Sequence, residues 1–262
     1  MMQIALDPGK KIYFASDFHL GFPNATESKV REKLLVHWLE AISHDAQHIF
    51  LLGDIFDFWF DYRFVVPQSF VRFQGQIARL TDQGLPITFF TGNHDMWMFG
   101  YLTSELGVPI YREPLSLKIG EHIFHIGHGD GLGPGDYSYK FLKSIFRNRF
   151  FQRIFSAVPP TLGMGLAMGW SKQSKKKKMG KGVVFEGEKE LIWQYCQKIE
   201  RQNHHDFYIF GHRHLPMELK TGERSVYFNL GDWLSYNTFA VYNGTSLQLQ
   251  SYTQPYVEVH RM

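Results

Sequence analysis

Cysteine is nearly missing from this chain of 262 residues. Cys196 stands alone, which excludes an intrachain disulfide and fits a reducing compartment. Its setting, Trp193-Gln194-Tyr195-Cys196, reads as the inside of a helix, where a single thiol behaves as inert core. Long apolar runs are missing as well. No stretch reaches the roughly 18 consecutive apolar residues that a spanning helix requires, and the greasiest one, 49–60, carries Asp54 and Asp57. Residues 1–11 hold no apolar signal-peptide core, so a cytoplasmic protein, or one resting on a membrane face, is expected. No internal repeat of solenoid or propeller length is found.

A third absence is local. Between Asp136 and Glu186 there is no acidic residue, while eleven of the 28 Lys and Arg fall there. Elsewhere 17 basic residues face 25 acidic ones, so the segment carries +11 and the remainder −8. Such asymmetry predicts an anionic partner for the segment.

What is present argues for a packed globule. Hydrophobic residues make up 44% and charged residues 20%, which excludes a disordered chain. The length suits one large α/β domain with a small insertion. Twenty-four Phe give more aromatic surface than a core needs, and a greasy ligand is expected to take the excess. The hydrophobic pattern predicts strands at 11–16, 48–52 and 87–91, alternating with helices at 27–43 and 67–83. The second helix is expected to begin at Pro67 and to stop before Gly84. From residue 115 the texture shifts to short strands at 115–119, 122–127, 207–210, 225–229, 239–242 and 247–252, with a helix at 188–202. Two mixed sheets with helices outside are expected. Residues 1–135 and 187–262 form the core of this scheme, and 136–186 interrupt it as a helical cap.

Five short motifs carry the chemistry, each just after a predicted strand: Asp17-Phe18-His19, Gly53-Asp54-Ile55-Phe56-Asp57, Gly92-Asn93-His94-Asp95, Gly127-His128-Gly129-Asp130 and Gly211-His212-Arg213-His214. Strand C-terminal ends are where α/β sheets place their ligand sites. If these segments are strand-like, residues i and i+2 share a face, so Asp17 and His19 reach one ion, and His212 and His214 likewise share a site. Asp54 on a tight turn is placed to bridge two ions. Carboxylate, imidazole and amide ligands together suit manganese, iron or zinc better than calcium. Any one such pair alone is weak; five in order form a consistent set. The other histidines (His37, His44, His48, His204, His205, His260) are expected to be surface or satisfied residues, and His125 to be packing.

By these motifs the chain resembles the calcineurin-like metallophosphoesterase superfamily, whose ordered signature is D-x-H, G-D-x-x-D, G-N-H-D/E, G-H and G-H-x-H. The resemblance implies a four-layer α/β/β/α sandwich holding two metals bridged by hydroxide. One metal would take Asp17, His19, His214 and the bridging Asp54; the other would take Asp54, Asn93, His128 and His212. His94 would assist the leaving group or steady an equatorial oxygen, with Asp54 the other catalytic residue. Asp57, Asp95 and Asp130 would orient imidazoles.

Beyond the metal motifs, His128-Gly129-Asp130, Asp136, Tyr139, Ser171-Lys172, Lys178 and Leu230-Gly231-x-Trp233 are similar to the UDP-2,3-diacylglucosamine hydrolase family of lipid A biosynthesis. That resemblance implies cleavage of the pyrophosphate of a UDP-linked diacyl sugar to UMP and the diacylated sugar 1-phosphate. It further implies manganese as cofactor and a peripheral seat on the cytoplasmic face of the inner membrane, whose anionic surface would be a partner. Substrate would be contacted by Asn93, His94, Asp136, Tyr139, Ser171, Lys175, Lys178 and His212. Two positions differ from the family: His94 stands where it usually has Arg, and Lys175 where it has Asn. The competing readings are another dinuclear phosphodiesterase, nuclease-like or acting on a nucleotide sugar or lipid, and a non-catalytic interaction domain of the same fold. Phe and Leu pairs in the basic segment argue against nucleic acid as partner, and the complete ligand set argues against a chain that has lost catalysis.

Overall fold

A computed structural model describes residues 1–166, 169 and 184–252. Two six-stranded mixed sheets lie face to face. The first runs from edge to edge as β12 (Leu247–Ser251), β11 (Thr238–Tyr242), β2 (Lys11–Ala15), β3 (Ala46–Leu52), β4 (Ile87–Phe90) and β5 (Ile110–Tyr111). The second runs β1 (Met2–Ile4), β6 (Leu115–Ile119), β7 (His122–Gly127), β8 (Phe207–Phe210), β10 (Val226–Leu230) and β9 (Pro216–Lys220). Strands β2 to β5 are mutually parallel, as are β7, β8 and β10.

Alternation along each central strand feeds two different cores. Ile12, Phe14, Phe50 and Leu52 point into the seam between the sheets, where they meet Leu117, Phe124 and Ile209. Tyr13, Ala15, Ile49 and Leu51 point the other way, under α1 (Ala25–Ser43), α2 (Val71–Asp82) and α3 (Tyr101–Leu106). Burial on both faces explains why these strands read as continuous apolar runs. On the far side of the second sheet, α6 (Leu191–Glu200) lays Ile192 and Cys196 against Tyr208, Phe210 and Tyr227. The layers are therefore α/β/β/α, as expected. Cys196 is fully buried, and burial pushes its thiol well above the ordinary range.

Two expectations change. Helix α2 starts at Val71, four residues after Pro67, because Phe70 takes a left-handed backbone (φ 70°) and packs on Phe56. Its first amides, Arg72 N and Phe73 N, donate to Glu32 of α1 at 2.8 and 3.2 Å, so the cap comes from another helix. The aromatic surplus goes largely into the cores, in stacks such as Phe14–Phe50 and Phe14–Phe124 and in the tilted pair Trp38–Trp233. Each such ring buried is worth roughly 1.5–3 kcal/mol.

The described part of the basic segment is helical: α4 (Tyr137–Arg147), α5 (Arg149–Ser156) and residues 160–166. It docks through Phe146 and Phe155, which pack on Trp97, while the Trp97 indole donates to the Phe146 carbonyl at 2.8 Å. Among the described residues no helix is long and apolar enough to cross a membrane.

Candidate metal centre

The ligand-type residues leave the C-terminal ends of five strands. Asp17 and His19 follow β2, Asp54 follows β3, Asn93 and His94 follow β4, His128 follows β7, and His212 and His214 follow β8. The first three strands belong to one sheet and the last two to the other, so the site straddles the seam.

The backbone here is turned rather than strand-like. Asp17, His19, Asp54, His212 and His214 all have positive φ, between 44° and 68°. Among the described non-glycine residues only Phe70, Asp136 and Asn237 share that conformation. Each such residue costs roughly 1–2 kcal/mol, and its concentration here marks a site held by its surroundings. The consequence corrects the i, i+2 argument. Asp17 and His19 do meet, but His212 and His214 part company and enter different clusters.

Beside a group of His19, Asp57 and His94, two clusters share a residue: one joins Asp17, His19, Asp54 and His214, the other Asp54, His128 and His212, with the ligand atoms of each group within 4.8 Å of one another. Asp54 belongs to both. His214 Nε2 lies 3.3 Å from Asp17 Oδ1 and 3.1 Å from His19 Nε2, and His128 Nε2 lies 3.4 Å from both Asp54 Oδ2 and Asn93 Oδ1. Asp17 Oδ1 is buried and accepts no hydrogen bond. Facing imidazole nitrogens and an orphaned carboxylate oxygen cannot all satisfy one another, whereas a cation among them satisfies every one. The residues fit a pair of divalent ions. Crowding also explains two glycines: a Cβ on Gly92 would lie 2.1 Å from Asp54 Oδ1, and one on Gly211 2.4 Å from Asp17 Oδ2.

Electrostatics point the same way. Burial alone would raise Asp54, but His128 and His94 outweigh it and hold the carboxyl well below the usual range. Asp17 is likewise depressed, burial being overcome by His214 and His19. Burial would lower His128, yet Asp54 raises it to about 10, while burial and the His128 charge bring His212 down to about 3. The two carboxylates are thus held ionised among the imidazoles, and a cation there would take the place of the proton that Asp54 draws onto His128.

Supporting groups fix several of the ligands. The His128 Nδ1 donates to the Leu52 carbonyl at 2.8 Å, which leaves Nε2 for the cluster, and Asp232 does the same for His214 at 3.1 Å. The Asp57 carboxylate lies 3.6 Å from His19 Nδ1 and 3.7 Å from His94 Nδ1, too far for a hydrogen bond, and it is the Asp57 backbone carbonyl that meets His94 Nδ1, at 3.1 Å. Among the described residues Asp95 and Asp130 hydrogen-bond to no imidazole. Asp95 accepts from Gly92 N and Ile55 N, both at 2.7 Å, and so ties two ligand loops together; burial and then Asp54 raise its carboxyl to about 7. Asp130 takes Tyr139 and Lys143 of α4 instead. Tyr139, expected at substrate, thus hydrogen-bonds to a core carboxylate, and Asp136 is exposed at the head of α4. Ser171, Lys175 and Lys178 lie outside the described residues.

Two supporting residues escaped sequence reasoning. Buried Arg31 of α1 donates to the carbonyls of His19 (2.7 Å) and Phe22, fixing the first ligand loop. Asp232 was within reach, since it is the unnamed position of Leu230-Gly231-x-Trp233.

The family model for calcineurin-like phosphoesterases matches residues 10–216, a span that contains all five ligand loops. The chain belongs to the calcineurin-like phosphoesterase family. Within what is known of calcineurin-like phosphoesterases and their relatives, it is 39% identical over 258 residues to a UDP-2,3-diacylglucosamine hydrolase of Porphyromonas gingivalis, covering 92% of this chain and 97% of that one. A UDP-2,3-diacylglucosamine hydrolase of Histophilus somni is 25% identical, covering 86% and 92%. A solved phosphoesterase from E. coli superposes with a TM-score of 0.45 at 15% identity over 92% of both chains, and the family assignment does not depend on it.

Proposed function

We propose that this protein hydrolyses the pyrophosphate bond of UDP-2,3-diacylglucosamine, releasing UMP and 2,3-diacylglucosamine 1-phosphate, with two divalent ions of which manganese is the expected native metal. One conjunction carries the reading: two ligand clusters sharing Asp54, in a chain 39% identical across 92% of its length to a hydrolase of that name. Divalent ions bound there supply Lewis acidity toward phosphoryl oxygens and a nucleophile at neutral pH. The protein's own groups do the remaining work. Asp17, His19, His214 and Asp54 hold one ion, and Asp54, Asn93, His128 and His212 the other. His94, kept in place where Nδ1 meets the Asp57 carbonyl at 3.1 Å, offers Nε2 to the departing or an equatorial phosphoryl oxygen.

Residues 136–186 act as a cap on a core of 1–135 and 187–262. Helices α4 and α5 bury none of their residues, and Phe141 and Phe150 are 68% and 66% exposed. Arg149 and Arg153 alternate with apolar residues along α5 and are exposed as well. Greasy faces set among cations fit acyl chains with an anionic headgroup, and a peripheral seat on the anionic inner face of the inner membrane. Asp136, Ser171, Lys175 and Lys178 are assigned to sugar and phosphate by motif position.

The test is direct. Purified, manganese-loaded protein is incubated with UDP-2,3-diacylglucosamine and products are followed by mass spectrometry, with equimolar UMP and diacyl sugar phosphate expected. An inert lipid together with cleavage of DNA or RNA would replace this reading by a nuclease.

A further inference from the structure

The outgoing root of the 136–186 segment is tied by an ion pair, and the returning root chiefly by a backbone hydrogen bond, to loops that carry metal-type ligands. On the outgoing side, Lys143 of α4 reaches Asp130, two residues beyond His128. Its ammonium lies 2.7 Å from Oδ2 and donates to the Asp130 carbonyl at 2.8 Å. Tyr139 donates to the same Oδ2 at 2.6 Å. On the returning side, Arg213 stands between His212 and His214. It grips Glu190, just before α6, through Nε at 2.8 Å and Nη2 at 3.0 Å, and Nη2 also donates to the Val184 carbonyl at 2.7 Å.

These are not surface pairs. The Asp130 and Glu190 side chains are 7% and 2% exposed, and Lys143 and Arg213 19% and 24%. The core stretches that flank the two roots also abut: a Cβ on Gly133 would lie 2.2 Å from the Leu191 carbonyl oxygen, and one on Gly129 2.7 Å from Ile192 Cδ1. A lid that only covered a core would be held by apolar contacts, because drawing charges out of water carries a desolvation cost. What short, directional ion pairs add is fixed geometry.

We propose that Lys143 and Arg213 are positioning residues, Lys143 setting the register of α4 and α5 against the metal-ligand loops and Arg213 that of the returning chain at Val184, so that a lipid-linked substrate held by α4 and α5 meets the ligands at the right distance. The substrate in this statement rests on the reading above; the geometry does not. A misplacement of about 1 Å at a reacting centre can cost about 100-fold in rate. A substrate too small to touch the segment escapes that loss.

Lys143→Met keeps the stem and removes the charge, and Arg213→Lys keeps the charge and loses the fork. Each is compared with wild type on UDP-2,3-diacylglucosamine and on bis(4-nitrophenyl) phosphate, with metal content and Tm measured alongside. The ratio of kcat/KM on the lipid to that on the small diester should fall about 10- to 100-fold, at unchanged metal content, and Lys143→Arg should restore it. Equal losses on both substrates with a lower Tm would make the pairs merely structural and overturn the proposal. Hydrogen exchange decides the mooring without lipid turnover. In Lys143→Met amides of α4 and α5 should exchange faster, and in Arg213→Lys those of residues 184–190, while β7 and β8 keep wild-type protection; unchanged exchange in these stretches overturns it. Wild-type protein that cleaves the diester but ignores the lipid removes the functional reading and leaves the exchange result standing on its own.

Discussion

Asp54 is the one carboxylate on which the two clusters meet, and His94 N also donates to its Oδ1 at 2.8 Å. Asp54→Ala should therefore lower bound metal from near two ions toward none, as read by elemental mass spectrometry. Its loss of activity should exceed the ~10–100-fold expected for Asp232→Ala, which removes only a group that orients His214. His94→Ala should reduce turnover about 10²- to 10⁴-fold with metal content intact; metal lost along with activity would make His94 a ligand. His94→Arg should retain pyrophosphatase activity if an Arg donor can serve there as in the resembling family. These ligands were legible because each sits in a short motif beside its own turn. Arg31 and Asp232 were not, because the groups they serve lie elsewhere: a helix side chain reaches back to a loop carbonyl, and a late loop reaches His214. Sequence reasoning also misjudged Asp95, since a carboxylate that gathers backbone amides leaves no pattern among side chains.

At the scale of elements, the strands that line the site were legible to within two residues, because their apolar runs are long and buried on both faces. Four elements were missed: β1, β5, β9 and α3. The first two span three and two residues at sheet edges, too few to show a period. β9 is an edge strand that begins with Pro216 and alternates weakly, and α3 is six residues long. In the cap, the apolar pattern was visible but its division of labour was not. Phe146 and Phe155 turn inward onto Trp97, whereas Phe141 and Phe150 face outward. Phe141→Ser with Phe150→Ser should then weaken binding of the diacyl substrate, each buried methylene being worth roughly 0.8 kcal/mol, and leave Tm nearly unchanged. Phe146→Ser should lower Tm instead. Calorimetry and a binding assay on the same variants separate the two, and a large Tm loss in the outward pair would place those rings in the core.

For the molecule as a whole, two buried histidines couple stability to pH. Burial lowers His48 to about 4, and burial followed by His205 brings His125 to about 4. Unfolded, each takes up a proton near the ordinary value of about 6.5. Their contribution is thus complete above about pH 6.5 and lost progressively as pH falls toward about 4, on the order of 3 kcal/mol each at most. His125→Gln should flatten the fall of Tm with acid over that window; an unaltered slope would show that His125 is not responsible. Metal should act on the same quantity. Ions at a hundred times their Kd stabilise by about 2.7 kcal/mol each, so chelation should lower Tm by roughly 5–20 °C, and a Tm indifferent to chelator would argue against structural coupling of the site.

The placement of the ligands across the seam carries a consequence for biogenesis. Asp17, His19 and Asp54 are synthesised early and belong to one sheet, while His128, His212 and His214 come later and belong to the other. Neither of the two clusters that share Asp54 is complete on one sheet. A nascent or half-unfolded chain, even one whose first sheet has formed, is chemically silent: it cannot cut a phosphoester until residue 214 has been made and the two sheets have closed on each other. Hydrolytic competence is in that sense a certificate of completed folding.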